Sequence, residues 1–229
     1  MREITGLDSP IDVMYLIHKA LRAEAANVER VAKELEEGGT LQNFRLAFNR
    51  WATALVFHSE QEDLFISAPL TTNAADVGGN GRTAHSHSSH VDSSSSLIDR
   101  VKAAMVAQED QTHMELLEAI EDVLEILNSE IGRTSLITRT KQHLTRQVVT
   151  LRIVQEDHLE TEEALFMPLL RKKMSESDQL RAAKAMLLDS DADDPHWVLD
   201  WVAKHVSQEE QQLLSDLEPR LHPLQTAVE

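Results

Sequence analysis

Residues 58–65 read HSEQEDLF and residues 158–166 read HLETEEALF. In each stretch a His is followed four residues later by a Glu: His58 with Glu62, and His158 with Glu162. Four residues are slightly more than one α-helical turn, so each pair shares one helix face. The likeness of the two stretches points to an internal duplication, helix pair with helix pair.

Reading outward, each stretch lies in a long run with helical apolar spacing. The spacing predicts a first helix over 12–37, with Ile11, Met14, His18, Leu21, Ala25, Val28, Ala32 and Leu35 on one stripe. Ser9-Pro10 supplies its start and Gly38-Gly39 its stop. A second helix is expected over 41–67, with Leu41, Phe44, Phe48, Trp51, Leu55, His58, Glu62 and Phe65 on its stripe. A third is expected over 97–128, through Val106, Glu109, His113, Leu116, Ile120, Val123 and Leu127. After a turn at Gly132, a fourth is expected over 135–173, through Leu144, Leu151, Val154, His158, Glu162, Leu165 and Leu169, with a kink at Pro168. Shorter helices are expected over 177–188, 195–205 and 207–217.

The expected fold is therefore all-α: an antiparallel up-down-up-down four-helix bundle over residues 9–174, with short C-terminal helices over 175–229 packed on it. Residues 70–96 break the pattern. Their core, GGNGRTAHSHSSHVDSSSS, is nearly free of apolar residues and reads as a flexible low-complexity insertion.

Six polar residues sit inside the apolar stripes: His18, His58, Glu62, His113, His158 and Glu162. Burying imidazoles and carboxylates is unfavourable unless they are paired or bind a metal. Folding the first hairpin at residue 38 sets His18 and His58 at one height, and folding the second near Ser135 does the same for His113 and His158. Each hairpin then delivers two His and one Glu to a common level. Imidazole with carboxylate suits iron or manganese, and four His with two bridging Glu suit a dinuclear iron site with open coordination positions. Ferritin-like bundles use Glu-x-x-His instead.

Glu109 has three readings: a further ligand, a partner that orients a ligating His, or a solvated residue. Tyr15, one turn before His18, has three readings: it hydrogen-bonds to a metal-bound oxygen species, carries a radical, or packs as an aromatic beside the site. His85, His87 and His90 compete with His113 for the third His position; the stripe and the interval to His158 favour His113. His205-x-x-x-Glu209 repeats the spacing without a partner hairpin and reads as surface or packing. His143 lies off the stripe and reads as exposed.

Composition narrows the function classes. The chain has 229 residues, no Cys and a formal net charge of −17. Disulfides, thiolate metal sites, iron–sulfur clusters and Cys nucleophiles are excluded. A polyanion repels phosphate backbones and anionic lipid, so neither nucleic acid nor a membrane is the expected partner. No long apolar run and no basic-then-apolar leader occur, which sets the expectation of a cytoplasmic protein. No phosphate loop, dinucleotide fingerprint or Ser-His-Asp arrangement is present.

The ordered set His18, His58-x-x-x-Glu62, His113, His158-x-x-x-Glu162, with the flanks PIDVMYLIHKAL (10–21), WATALVFHSEQEDLF (51–65) and HLETEEALFMPLL (158–170), resembles the hemerythrin-like, His-His-Glu cation-binding family. The flanks are similar to hemerythrin domains of plant iron-regulatory ubiquitin ligases and bacterial relatives, over roughly residues 9–217. The resemblance implies two non-haem irons, oxo- or hydroxo-bridged, and a small diatomic or peroxide ligand. It implies binding or sensing of oxygen or iron, with a protein partner of unknown kind. The alternative it carries is a di-iron enzyme acting on peroxide, nitric oxide or ferrous iron, catalase-, peroxidase- or ferroxidase-like. The chain departs from oxygen-carrying members of the family, which place two His four apart on the third helix; Glu109 and His113 stand here. Those members also use an Asp five residues after the fourth-helix His, where this chain has Glu162 at four.

Overall fold

A computed structural model describes residues 4–67, 92–130 and 137–221. The described residues form helices and no strands. Helix α1 spans Met14–Lys33, α2 Gln42–Glu62, α3 Asp92–Ser129 and α4 Thr138–Thr161. Then come α5 (Met167–Lys173), α6 (Glu176–Leu187), α7 (Trp197–Ala203) and α8 (Gln208–Leu221). No helix among the described residues is long and apolar enough to cross a membrane.

The helix ends follow local chemistry. A 3₁₀ turn, Pro10–Val13, leads into α1, and its Asp12 carboxylate accepts from the Ser9 N–H at 3.1 Å. Helix α1 ends at Lys33 rather than Glu37; Glu34, Glu36 and Glu37 oppose the negative end of the helix dipole. The chain reverses through Gly38, whose φ of 78° is open to glycine at little strain. The Ser175 hydroxyl caps α6, accepting from the Asp178 N–H at 3.2 Å. Helix α3 begins at Asp92, five residues before its expected start, so residues 92–96 belong to a helix and not to the insertion. An acidic residue followed by serines suits a helix N-terminus. The rest of the insertion, including His85, His87 and His90, lies outside the described residues, as do the turn at Gly132 and the side chain of Val106.

The long helices meet through their apolar stripes. Every residue of the first stripe, from Ile11 to Leu35, is buried. On α2 the ring pairs Phe44–Phe48 and Phe48–Trp51 lie 6.0 and 6.2 Å apart. Helix α1 packs along α2 and α4, α4 along α3, and α2 touches α3. Paired contacts step in opposite directions along α1 and α4, where Ala32 meets Thr145 and Arg22 meets Glu156. The same holds for α3 and α4, where Glu130 meets Thr140 and Asp122 meets Gln147. Across the core, the Trp51 indole N–H donates to Gln155 Oε1 at 2.6 Å and ties α2 to α4.

Two of the helices are distorted at equivalent places. Helix α2 runs into a π-helical turn at Asp63–Ser67, and α4 into another at Glu162–Phe166. The second corrects the expected fourth helix. A widened turn closes i→i+5 and inserts an extra residue, so the buried face moves on by one position. Leu165 is 53% exposed and Leu169 half-buried, while Phe166 and Leu170 fill the core. Pro168 directly follows the widened turn, at the second residue of α5, within a run that stays helical from Thr138 to Lys173.

The C-terminal helices lie against the long ones. Helix α6 packs on the 10–13 turn and on α2, and α7 packs on α1. Two buried carboxylates anchor them. Glu210 accepts from Lys19 Nζ at 2.6 Å and from the Ile4 N–H at 3.1 Å. Glu24 lies 3.0 Å from His205 Nε2 and 3.2 Å from Arg50.

Candidate metal centre

The two π-helical turns mark the level where the polar stripe residues converge. His18 comes from α1, His58 and Glu62 from α2, Glu109 and His113 from α3, and His158 with Glu162 from the end of α4. All seven are buried. The structure brings together the six stripe residues, and it adds Glu109, whose solvated reading is thereby overturned.

They form two overlapping groups that can each hold a metal ion. One comprises His18, His58, Glu62 and Glu162; the other Glu62, Glu109, His113 and His158. Within each group the donor atoms lie within 4.8 Å of one another. Opposite donors around one first-row metal stand about 4.2 Å apart, so small side-chain shifts close the shell. Glu62 faces both groups: Oε1 is 3.1 Å from His58 Nε2, and Oε2 is 3.5 Å from His113 Nε2 and 3.6 Å from His158 Nε2. Glu162 Oε2 lies 3.3 Å from His18 Nε2 and 3.6 Å from His158 Nε2. The His rings meet edge to face, His18 on His58 and His113 on His158, at 5.2 and 4.9 Å.

Hydrogen bonding separates the inner edges of these rings from the outer ones. The Nε2 atoms of His18, His58, His113 and His158 have no hydrogen-bond partner, and neither have both oxygens of Glu62, Oε1 of Glu109 and Oε2 of Glu162. Each orphaned buried polar group destabilises a fold by about 1–3 kcal/mol. The eight such atoms here belong to the two overlapping groups, and cations held in those groups would satisfy them. Two of the outer nitrogens are engaged: His18 Nδ1 bonds Glu163 at 3.0 Å, and His113 Nδ1 bonds Asp63 at 2.9 Å. His158 Nδ1 lies 3.0 Å from Glu109 Oε1 without hydrogen-bond alignment.

Charge is unevenly distributed. Burial disfavours imidazolium everywhere here, yet at His18 the Glu162 and Glu163 carboxylates outweigh it and hold the ring at about 9. Burial at His113 is likewise overcome by Glu109 and Glu62, which raise it to about 10. His158 is raised well above the usual range by Glu162, Glu109 and Glu62 against its burial. His58 goes the other way: burial and the neighbouring His charges bring it down to about 3. Burial and the Glu62 charge push Glu162 up to about 8. Glu62 itself stays well below the carboxylate norm, because the surrounding His residues outweigh its burial.

The other sequence candidates lie elsewhere. Tyr15 is half-buried beneath the Arg171 guanidinium, 5.5 Å from its ring centre, and belongs to neither group. His205 is fixed between Glu24 and the Trp201 carbonyl, while Glu209 is exposed. His143 is exposed. Sequence reasoning misses Asp63 and Glu163, although each directly follows the Glu of a His-x-x-x-Glu pair and the repetition of an acid there is visible.

No protein-family model, no curated protein and no solved structure matches the chain.

Proposed function

We propose that the chain is a hemerythrin-like di-iron protein whose centre takes up a small diatomic or peroxide ligand and senses oxygen or iron. In this reading α1–α4 form an up-down-up-down bundle, in keeping with the opposed contacts of α1 with α4 and of α3 with α4. The carrying observation is the set of eight buried N and O atoms that face one another in the core without a hydrogen-bond partner. His and carboxylate donors without thiolate suit iron or manganese, and the resemblance of the His-His-Glu pattern favours two irons. Bound iron would supply redox-active positions that the protein side chains leave open to a small ligand. The chain's own contribution is to hold the donors, exclude water and keep Glu62 between the two groups. Burial of all seven side chains favours sensing: an empty centre leaves charge uncompensated in the core, so occupancy couples to stability.

The test is metal content and the ultraviolet–visible spectrum of freshly purified protein, beside a His58→Ala/Glu62→Ala variant. The expected result is about two irons per chain and near-ultraviolet absorption that the variant loses. A metal-free wild type that is fully folded and gains no stability from added iron refutes the reading.

A further inference from the structure

We propose that Asp63 and Glu163 are positioning residues that cross-brace the centre, each holding the outer ring nitrogen of a His delivered by the other hairpin. Asp63, at the end of α2, bonds Nδ1 of His113 on α3; Glu163, at the end of α4, bonds Nδ1 of His18 on α1. The inference rests on the metal-centre reading above and adds to it the residues that aim two of the rings.

The chemistry of the contact is directional. A carboxylate only accepts, so a ring bonded through Nδ1 carries its proton there. In the neutral ring the Nε2 lone pair then faces inward, which is the ligating tautomer. Both Nε2 atoms are buried without a hydrogen-bond partner and lie within ion-pair distance of the Glu62 and Glu162 carboxylates. Glu163 is itself held by Arg22 at 2.6 Å, and Arg22 by Glu156 at 2.9 Å, so its bond to His18 is one link in a fixed chain.

The π-helical turns account for how one acid pair does both jobs. In an α-helix successive side chains diverge by about 100°, and a residue following an inward Glu would point away from the centre. A turn closed i→i+5 holds more residues per turn and narrows that angle. The widened turns start at Asp63 and at Glu162, where successive acids must reach one site. In each repeat the first acid faces the metal positions and the second reaches round to the opposite hairpin. Neither role needs the other residue's chemistry, yet both need this backbone.

The test uses Co2+ as a spectroscopic probe on the full chain stripped of metal, with far-ultraviolet circular dichroism to verify folding. Variants are Glu163→Ala, Glu163→Gln, Asp63→Ala and Asp63→Asn, with His18→Ala and His113→Ala marking each site and exposed Glu160→Ala as control. Wild type should bind about two Co2+. Glu163→Ala should weaken one of them about 10–100-fold, with the spectral change of His18→Ala. Asp63→Ala should weaken the other, with the change of His113→Ala. The Gln and Asn variants, whose amide oxygens still accept from Nδ1–H, should restore most of the affinity, and Glu160→Ala should bind as wild type. Equal weakening at both sites, wild-type binding by both Ala variants, or no rescue by the amides overturns the brace while leaving the metal centre standing. A wild type that binds no Co2+ overturns the metal-centre reading itself.

Discussion

Filling the centre at neutral pH should release about three protons per chain, more than free imidazoles would give up. With carboxylates beside them, His18 is held at about 9, His113 at about 10 and His158 well above the usual range. These three therefore carry the extra proton at pH 7. Glu162 is pushed up as well, but a proton there would remove the charge that raises His18 and His158, so it is not counted again. His58, at about 3, and Glu62, well below the usual carboxylate value, carry none. Ligation needs bare Nε2 atoms, so about three protons must leave. Four ordinary imidazoles, at about 6.5, would together release only about one. Shared between two metals, the release makes the product of the two apparent affinities rise about a thousandfold per pH unit near neutrality. Groups raised on folding stabilise the metal-free protein fully below their unfolded values and lose that contribution as pH climbs through 8 to 10. The metal-free Tm should thus fall from pH 6.5 to 10, while the gap between metal-loaded and metal-free Tm widens. The assay is anaerobic calorimetric titration of Fe2+ at pH 7 in buffers of different ionisation enthalpy, whose slope counts protons. A slope of about one, or a metal-free Tm that climbs over that range, refutes the reasoning.

Leu170→Ala should destabilise by about 2–5 kcal/mol and Leu165→Ala by less than about 0.5 kcal/mol, measured by denaturant unfolding; the reverse order would remove the widened turn. Glu24→Ala leaves the Trp201 indole N–H and His205 Nε2 without their shared carboxylate and should lower stability by about 1–3 kcal/mol; limited proteolysis should then cut first within 189–221. His205→Ala/Glu209→Ala should leave metal stoichiometry at the wild-type value, since neither residue belongs to the two groups; loss of a metal would give the third His-x-x-x-Glu pair a role that its position denies it.

Much of the fold is legible in the sequence. Helical spacing places the stripe of α1 residue for residue, because a regular helix with a buried face has one period and the chain keeps to it from Ile11 to Leu35. The polar interruptions are legible for the same reason: a His or Glu in an otherwise apolar stripe must be buried, and counting back from each hairpin turn sets the heights. Glu109 is ambiguous only because its solvent exposure depends on where α3 begins, and that start depends on how a run of serines behaves next to Asp92.

The rest is hidden by one backbone departure made twice. Sequence periodicity assumes about 100° per residue, and under that assumption Asp63 and Glu163 fall off the stripe and look like solvated acids. The same assumption puts Leu165 and Leu169 inside. The widened turn at Glu162–Phe166 reverses both placements at once: it buries Phe166 and Leu170, and it brings Glu163 round to the outer nitrogen of His18. A wide turn sacrifices regular i→i+4 bonding and is uncommon without a functional reason. Its recurrence beside both His-x-x-x-Glu pairs, with an acid following the Glu each time, makes the distortion part of the site. The signal present in the sequence is therefore the repeated Glu-Asp and Glu-Glu pairs, an acid doubled where a stripe needs only one.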